Sequence, residues 1–289
     1  MVMMSKGIVL FALNNERVDY FDLATFCALQ AKKHLKLPVT IVTDRNTYDR
    51  KQEYFDVYDK VIPIDINYKH KSEKRFQNGF YDSVLVNYRN NARYQIYDLT
   101  PYDQTLVIDV DIIVGNDNWL KMFDSDEVLC ISKNSQDINF DRGKEKQFTY
   151  ISDESIPFYW ATVFYFKKCD IARKFFNTVR FVQENWDYYR RLHMIKSELF
   201  RNDFAFSMAL NILSNYGENH WWGDLPGRIF HSMDTDVLLD YNDGTGESKM
   251  LVRHGTKKSH SYQKIKGLNL HIMNKLSLQE QAQKCLKDI

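Results

Sequence analysis

The hydrophobic and polar positions of the N-terminal half alternate in a way that predicts strands and helices in turn. Short apolar runs at residues 7–13 and 38–44 predict strands, and apolar residues at helical spacing across 21–35 predict a helix between them. A third strand is expected at 60–64, and a helix at 80–99. Alternating strands and helices form a mostly parallel sheet that is covered on both faces.

The C-terminal half has a different pattern. Residues 132–155 are polar and rich in Asn, Asp, Lys and Gln, which is typical of a long loop. The aromatic run 158–166 predicts a buried strand, and apolar stripes predict helices at 170–186 and 203–213. We therefore expect the same α/β class to continue to the end of the chain.

Two acids, Asp109 and Asp111, interrupt the apolar run Gln104-Thr-Leu-Val-Ile-Asp-Val-Asp-Ile-Ile-Val-Gly-Asn-Asp117. An unpaired buried charge costs several kcal/mol, so these acids must meet a cation or lie where the strand leaves the core. Alternate residues of a strand share a face, which would turn both carboxylates toward one Mg²⁺ or Mn²⁺ ion. The alternative is that Asp109 caps a strand end and Asp111 is exposed at a bulge.

The position of these acids in the predicted sheet favours the metal site. Ligands of parallel α/β sheets bind beyond the carboxyl ends of the strands. Asn14, Asp44, Asp109 and Asp111 all fall at such ends. The remaining coordination positions of a metal held there would be filled by diphosphate oxygens and another protein ligand.

Composition narrows the class of protein. The 289 residues are 44% hydrophobic and 27% charged, and the net charge is +1, so no overall field favours nucleic acid or an anionic membrane. Polar Asn14, Asn15 and Glu16 follow the first apolar run too soon for a secretory signal or a membrane span. With four dispersed cysteines and no C-x-x-C pair, we expect a cytoplasmic protein with reduced thiols.

Ala92-Arg93-Tyr94, the D-x-D segment at residues 102–114 and a late His271 together resemble the retaining glycosyltransferases of family 8. This family has the GT-A fold and includes glycogenin and bacterial lipopolysaccharide galactosyltransferases. The fold consists of a Rossmann-like nucleotide-binding half with a mostly parallel central sheet, and an acceptor-binding half. The resemblance covers most of the chain in order, and it implies one domain over 1–289, with these halves at 1–116 and 117–289.

The resemblance also implies the roles of individual residues. Asp109, Asp111 and His271 would bind Mn²⁺ or Mg²⁺ on a UDP-sugar, with Val110 between the two acids also in the donor site. Lys275 resembles the lysine that binds the donor diphosphate, although it follows the histidine at a shorter spacing than the family's H-x-x-G-x-x-K.

Other donor contacts are implied at the first strand and in the helix before the D-x-D segment. Phe11, Ala12 and Asn14 lie at the carboxyl end of the first strand, where members of the family contact the uracil base of the donor. Arg93 stands where the family has a basic residue that contacts the donor, or it is an exposed helix arginine paired with Asp98 or Glu73. Asp44 is expected to serve the ribose or base, or to cap a helix.

The acceptor half departs further from the family. Trp160-Ala161-Thr162 stands where relatives carry Asn-Ala-Gly, so sugar specificity does not transfer. Asp203 resembles the first acid of a segment that lines the donor sugar, and we expect it to act with Arg93 in catalysis. Alternatively, it lies in the first turn of its helix and favours the dipole there.

The predicted function is transfer of glucose or galactose, with retention, from UDP-glucose or UDP-galactose to a hydroxyl of an unidentified glycan, protein or small molecule. A sugar-phosphate nucleotidyltransferase is an alternative, but it would carry a Gly-rich loop, and residues 13–17 have no glycine. A glycoside hydrolase would need two carboxyls flanking the scissile bond and no metal. A non-catalytic protein on the same fold would bind nucleotide or glycan without turnover.

Overall fold

The structure is a computed structural model that describes residues 4–65, 73–79, 82–87, 89, 91–133, 135–142, 149–152, 155–217, 220–255 and 259–287. Residues 80, 81, 88 and 90 of the helix predicted at 80–99 lie outside the described residues. So do residues 134, 143–148 and 153–154 of the loop predicted at 132–155.

The strands are numbered in chain order. They are β1 (Lys6–Ala12), β2 (Val39–Asp44), β3 (Lys60–Ile64), β4 (Glu73–Asn78), β5 (Asp82–Asn87), β6 (Gln104–Ile108), β7 (Ile112–Ile113), β8 (Leu129–Ser132), β9 (Ser135–Asp137), β10 (Trp160–Lys167), β11 (Gly223–Asp224), β12 (Ile229–His231), β13 (Val237–Asn242), β14 (Glu247–Arg253), β15 (His260–Lys266) and β16 (Leu270–His271).

The α-helices are numbered in the same way. They are α1 (Tyr20–Leu35), α2 (Arg45–Arg50), α3 (Ile96–Leu99), α4 (Asp170–Glu184), α5 (Trp186–Leu192), α6 (Asn202–Leu213) and α7 (Lys275–Leu286). None of the helices in the described part of the chain has the length and apolar character needed to cross a membrane.

A seven-stranded sheet forms the centre of the molecule, in the order β11-β8-β10-β6-β1-β2-β3. Strands β6, β1, β2 and β3 run parallel to one another, whereas β10 is antiparallel to both β6 and β8. The predicted α/β class with a mostly parallel central sheet is confirmed.

Helices cover both faces of the sheet. Successive residues of a strand point to opposite faces, and the central strands are apolar at successive positions, so both faces are apolar. In β1, Ile8 and Leu10 face a core formed with α1 and α7, and Val9 and Phe11 face a second core formed with α4 and α6. Near-continuous apolar runs of this kind are typical of strands buried on both sides. Because β1, β2 and β6 are parallel, their carboxyl ends lie at the same edge of the sheet.

Three smaller sheets are present among the described residues. A four-stranded sheet has the order β7-β16-β12-β9, a three-stranded sheet has the order β13-β14-β15, and β4 pairs with β5 as a hairpin. The first of these begins only four residues after β6 ends, and it brings β16 from near the end of the chain to β7.

The helix predicted at 80–99 is wrong over most of its length. Residues 82–87 form β5, and helical structure is limited to a 3₁₀ turn at Arg93–Gln95 and to α3. Exposed Leu85 beside buried Val86 shows the alternation of a strand, and pairing with β4 satisfies the backbone of this segment.

The loop predicted at 132–155 is partly ordered into regular structure. Strand β9 pairs with β12, and a 3₁₀ turn follows at Phe140–Arg142. Buried Arg142 holds this turn through ion pairs with Asp137 (2.6 Å) and Asp236 (2.8 Å). The polar residues of this segment therefore include a buried charge network, which a reading by composition does not reveal.

Candidate active site

The two acids of the apolar segment lie directly after β6, in a tight turn and not within a strand. β6 ends at Ile108, and Ile112 then donates its backbone N–H to the carbonyl of Asp109 (3.2 Å). The prediction that strand alternation aligns the two side chains is therefore wrong. The turn is held by neighbouring strands, because Asp109 donates its N–H to Thr162 (2.8 Å) and Ile272 donates to the carbonyl of Asp111 (2.9 Å).

His271 reaches the acids because β16 runs antiparallel to β7, with His271 opposite Ile112. Its Nε2 lies 3.1 Å from Oδ2 of Asp111. Asp109, Asp111 and His271 each offer one ligand atom, and these atoms lie within 4.8 Å of one another. Carboxylate oxygens suit Mg²⁺ and Mn²⁺, and imidazole nitrogen is also a ligand for transition metals. These three residues, named the metal cluster below, fit a divalent cation.

Gly115 permits the close approach of the segment that leads to His271. A Cβ atom at Gly115 would lie only 2.3 Å from the carbonyl oxygen of Leu268. The side chain of Asn269 also accepts the backbone N–H of Gly115 (2.9 Å) and of Asn116 (3.3 Å). The Gly115-Asn116 sequence therefore joins the D-x-D turn to the C-terminal segment.

A protein cation faces each of the two acids. Arg93 is 3% exposed, forms an ion pair with Asp109, and donates to the carbonyl of Ala161 at 2.5 Å. On the other side, Nζ of Lys275 lies 2.6 Å from Oδ2 of Asp111. These pairs explain how the two carboxylates are accommodated beside an apolar core.

The two acids differ in their pKa. Burial raises the pKa of Asp109 despite the attraction of Arg93, and the neighbouring Asp111 adds to that rise. Burial acts in the same direction on Asp111, but attraction by Lys275 and His271 outweighs it and lowers the pKa. Burial would lower the pKa of Lys275, but its pairing with Asp111 more than offsets this effect and raises it. Asp111 and Lys275 are thus a charged pair at neutral pH.

A cavity of about 460 Å³ opens beside the metal cluster. Its described lining residues are Phe11, Leu13, Asn15, Tyr20, Lys74, Asn87, Arg89, Asp109, Val110, Asp111, Trp160, Thr162, Ser197, Leu199, Arg201, Asp203, Phe204, Met233, Asp234, His271, Met273 and Lys275. The volume and the mixed polar and aromatic lining suit a ligand that has both charged groups and rings.

A second charged group lines the same cavity and consists of Lys74, Arg201, Asp203 and Asp234. Asp203 lies in the first turn of α6, where it accepts hydrogen bonds from the backbone of Ala161 (2.9 Å) and from Arg201 (2.8 Å). Lys74 lies on β4, and its pKa is lowered to about 8 by burial and by the nearby charges of Lys275 and Arg201.

Several residues predicted from the sequence do line the cavity. Phe11 and Val110 border it together with the metal cluster, Lys275 and Asp203. The structure thus brings together residues that are up to 264 positions apart in the chain, from Phe11 to Lys275.

Four other predicted residues are not among the described lining residues. Ala12 is buried in the core, and the side chain of Asn14 accepts the backbone N–H of Phe21 (3.0 Å). Asp44 caps α2 through the backbone N–H of Thr47 (2.9 Å), as the alternative reading predicted. Arg93 lies behind Asp109 and does not border the cavity.

Sequence reasoning missed Lys74, Arg89, Trp160 and Asp234 as candidate site residues. Trp160 was noted only as a departure from the family, and its ring stacks on His231 at a centroid distance of 5.6 Å. Lys74 lies on β4 of the hairpin, and Arg89 follows β5 within the segment predicted to be helical, so no pattern indicates that they reach the cavity.

No protein-family model and no curated protein matches the chain. Solved glycosyltransferase structures are similar to it. The apo form of GlyE from Streptococcus pneumoniae TIGR4 has 13% sequence identity and a TM-score of 0.42, covering 76% of this chain and 45% of GlyE. The galactosyltransferase LgtC, in complex with donor and acceptor sugar analogues, has 15% identity and a TM-score of 0.44, covering 70% of each chain.

Mouse xyloside xylosyltransferase 1 in its apo form has 12% identity and a TM-score of 0.41, covering 71% of this chain and 81% of the mouse protein. The chain spans less than half the length of the GlyE chain that it matches.

Proposed function

We propose that this protein is a metal-dependent glycosyltransferase of the GT-A type, which transfers glucose or galactose from a UDP-sugar to an acceptor hydroxyl. The proposal is carried by the position of Asp109, Asp111 and His271 beside a cavity of about 460 Å³, where one ligand atom of each residue lies within 4.8 Å of the other two. This position lies at the carboxyl ends of a parallel sheet, where ligands of such sheets bind.

The metal cluster and Lys275 would bind the donor diphosphate. Asp109, Asp111 and His271 would hold Mn²⁺ or Mg²⁺, which supplies positive charge for the β-phosphate as its bond to the anomeric carbon breaks. Lys275 lines the cavity and provides an ammonium group for the same phosphate oxygens. Arg93 would act as a positioning residue, because it contacts Asp109 and not the cavity.

Asp203 would orient the donor sugar. Both of its carboxylate oxygens already accept hydrogen bonds, from Ala161 and Arg201, which fixes the side chain and reduces its strength as a nucleophile. The resemblance to the retaining family 8 enzymes implies retention, and without a strong carboxylate nucleophile retention would proceed by front-face attack. The acceptor hydroxyl approaches from the side on which UDP leaves, and the departing phosphate oxygen takes its proton.

The aromatic lining supports a carbohydrate ligand. Phe204 borders the cavity and is partly exposed, and aromatic faces pack well against the apolar faces of sugar rings. Trp160 also borders the cavity, although only 3% of it is exposed. The His231 ring stacks on that of Trp160, and burial lowers the pKa of this histidine to about 3, so it stays neutral. For the acceptor, the proposal specifies only a hydroxyl group.

The test is release of UDP from a panel of UDP-sugars, with Mn²⁺, with Mg²⁺ and with EDTA. We expect turnover with UDP-glucose or UDP-galactose that EDTA abolishes and that Asp109→Asn and Asp111→Asn remove. Asp126→Asn, at an exposed position, is the matched control and should retain activity. Turnover unchanged by EDTA would contradict metal dependence. UDP binding without turnover of any donor would identify a non-catalytic nucleotide-binding protein.

A further inference from the structure

The acids of the metal cluster are already paired with protein cations. Arg93 pairs with Asp109, and Lys275 pairs with Asp111 at 2.6 Å. The side chains of the two cations are only 3% and 12% exposed, so water screens these pairs poorly. Two carboxylates neutralised in this way attract a divalent cation much less than two unpaired carboxylates would.

Lys275 and a divalent cation need the same ligand atom. Oδ2 of Asp111 lies 2.6 Å from Nζ of Lys275 and 3.1 Å from Nε2 of His271. A cation held by His271 and this oxygen would share Oδ2 with the ammonium group of Lys275 and would place its positive charge next to that group. Repulsion between the two positive charges is strong where water is scarce.

The other charges around the cavity do not remove this conflict. In the described part of the chain, the acids Asp109, Asp111, Asp203 and Asp234 are matched by the cations Lys74, Arg93, Arg201 and Lys275, and Arg89 pairs with Glu16 at 3.2 Å. The cavity therefore has little net negative charge to offer a divalent cation. A diphosphate brings that negative charge.

We propose that Lys275 makes metal binding dependent on the diphosphate, an inference that rests on the proposed function. The ammonium group holds Asp111 until a nucleoside diphosphate enters the cavity. It then transfers its contact to the phosphate oxygens, and Oδ2 of Asp111 becomes available to the divalent cation. Metal and nucleotide therefore bind with positive coupling, and each raises the affinity for the other by the same factor.

The test is calorimetric titration of Mn²⁺ into the protein, alone and with saturating UDP. In the wild type, we expect weak binding of Mn²⁺ alone and much tighter binding with UDP. Lys275→Met should bind Mn²⁺ alone at least about tenfold more tightly than the wild type, because a nearby repulsive charge is removed. In the same variant, UDP should raise the Mn²⁺ affinity by a smaller factor.

Lys275→Gln keeps a hydrogen-bond donor for Asp111 without the charge, and it should behave like Lys275→Met. Lys284→Met, an exposed lysine on the same helix, is the matched control and should titrate like the wild type. Circular dichroism checks that each variant is folded.

Equal or weaker binding of Mn²⁺ alone by folded Lys275→Met and Lys275→Gln would overturn the inference and leave the metal site intact. No binding of Mn²⁺ to the wild type, with or without UDP, would overturn the proposed function and this inference with it. Asp111→Asn separates these cases, because it should abolish metal binding under both conditions if the site is real.

Discussion

The metal cluster and the second charged group line one cavity but are held in place by different means. Asp109 and Asp111 follow a core strand, and backbone hydrogen bonds to Thr162 and Ile272 fix their turn. The second group is carried by a hairpin, by the start of α6 and by a loop, and Asp203 within it is held by the backbone N–H of Ala161 and by the side chain of Arg201.

Under the proposed function, this difference would separate the group that holds the metal from the group that recognises the sugar or the acceptor. The turn that carries Asp109 and Asp111 is fixed by backbone hydrogen bonds to core strands, so its geometry changes little when a ligand binds nearby. Such rigidity suits residues that bind a metal. Groups on a hairpin and loops tolerate change more easily, which suits contacts that select the sugar or the acceptor. We expect substitutions in the two groups to affect different kinetic constants.

The largest effect is expected for Asp111→Asn. This change removes a metal ligand and leaves Lys275 buried without its partner carboxylate, so UDP release should fall by more than about 100-fold. Stability should also fall by about 3 kcal/mol, since half of a buried ion pair is lost. UDP release and urea unfolding measure the two effects, with Asp126→Asn as the control. Near-normal turnover in the variant would mean that this acid serves the fold only.

A smaller effect is expected for Asp203→Asn and Arg201→Ala. Either change disturbs the pair that lines the cavity, and kcat/KM should fall about 10- to 100-fold, with Mn²⁺ affinity in the presence of UDP changing less than about twofold. Arg191→Ala, at an exposed position on α5, should have no effect. Loss of metal affinity in Asp203→Asn would contradict the separation of the two groups.

A change of a few-fold is expected from the titration of Lys74. Its pKa is lowered to about 8 by burial and by Lys275 and Arg201, although Asp234 and Asp111 favour its charged form. As the pH rises from about 7 to about 9, Lys74 loses its charge, and affinity for a UDP-sugar should fall about threefold. The diphosphate of a UDP-sugar does not titrate in this range. Lys74→Met should bind more weakly and should lose this pH dependence.

The titration of Lys74 should also change the free energy of unfolding. The pKa of Lys74 is about 8 in the folded protein and near its ordinary value of 10.5 in the unfolded chain. Burial of the charge therefore destabilises the fold fully below pH 8, and this cost disappears as the pH rises toward 10.5. Lys74→Met should be more stable than the wild type at pH 7, with the difference vanishing near pH 10.5 in urea unfolding. A difference that grows with pH would contradict the lowered pKa.

The smallest effect on binding is expected for Asp44→Ala. Asp44 caps α2 and does not border the described cavity, so the change should lower stability by about 1 kcal/mol and leave UDP affinity unchanged. Urea unfolding and calorimetry with UDP measure both quantities. A weaker affinity for UDP in this variant would instead support a role for Asp44 at the ribose or base.

The metal cluster was accessible to sequence reasoning because core strands have strong patterns. Asp109 and Asp111 are conspicuous as acids within the apolar run of β6 and β7, and runs such as β1 identify the sheet whose edge they occupy. The prediction that strand alternation turns the two carboxylates to one side is wrong, because a turn at residues 109–111 brings them together. Turns this short leave little trace in hydrophobic periodicity.

The second charged group was harder to predict because it depends on contacts between distant segments. Lys74 reaches the cavity through a hairpin whose second strand, at residues 82–87, was read as helix. Arg201 stands two residues before Asp203, but no sequence pattern indicates that its guanidinium binds that carboxylate. Such pairings follow from tertiary packing, which overrides local propensity.

The central claim, a metal and nucleotide site at Asp109, Asp111 and His271, is tested most directly by thermal unfolding. The measurement uses UDP, Mn²⁺, both together, and both with the Asp109→Asn/Asp111→Asn double variant. A ligand at a hundredfold excess over its Kd stabilises the native state by about 2.7 kcal/mol. We predict a large shift with UDP and Mn²⁺ together, absent from the double variant. No shift with any nucleotide, or an equal shift in the double variant, would contradict the account.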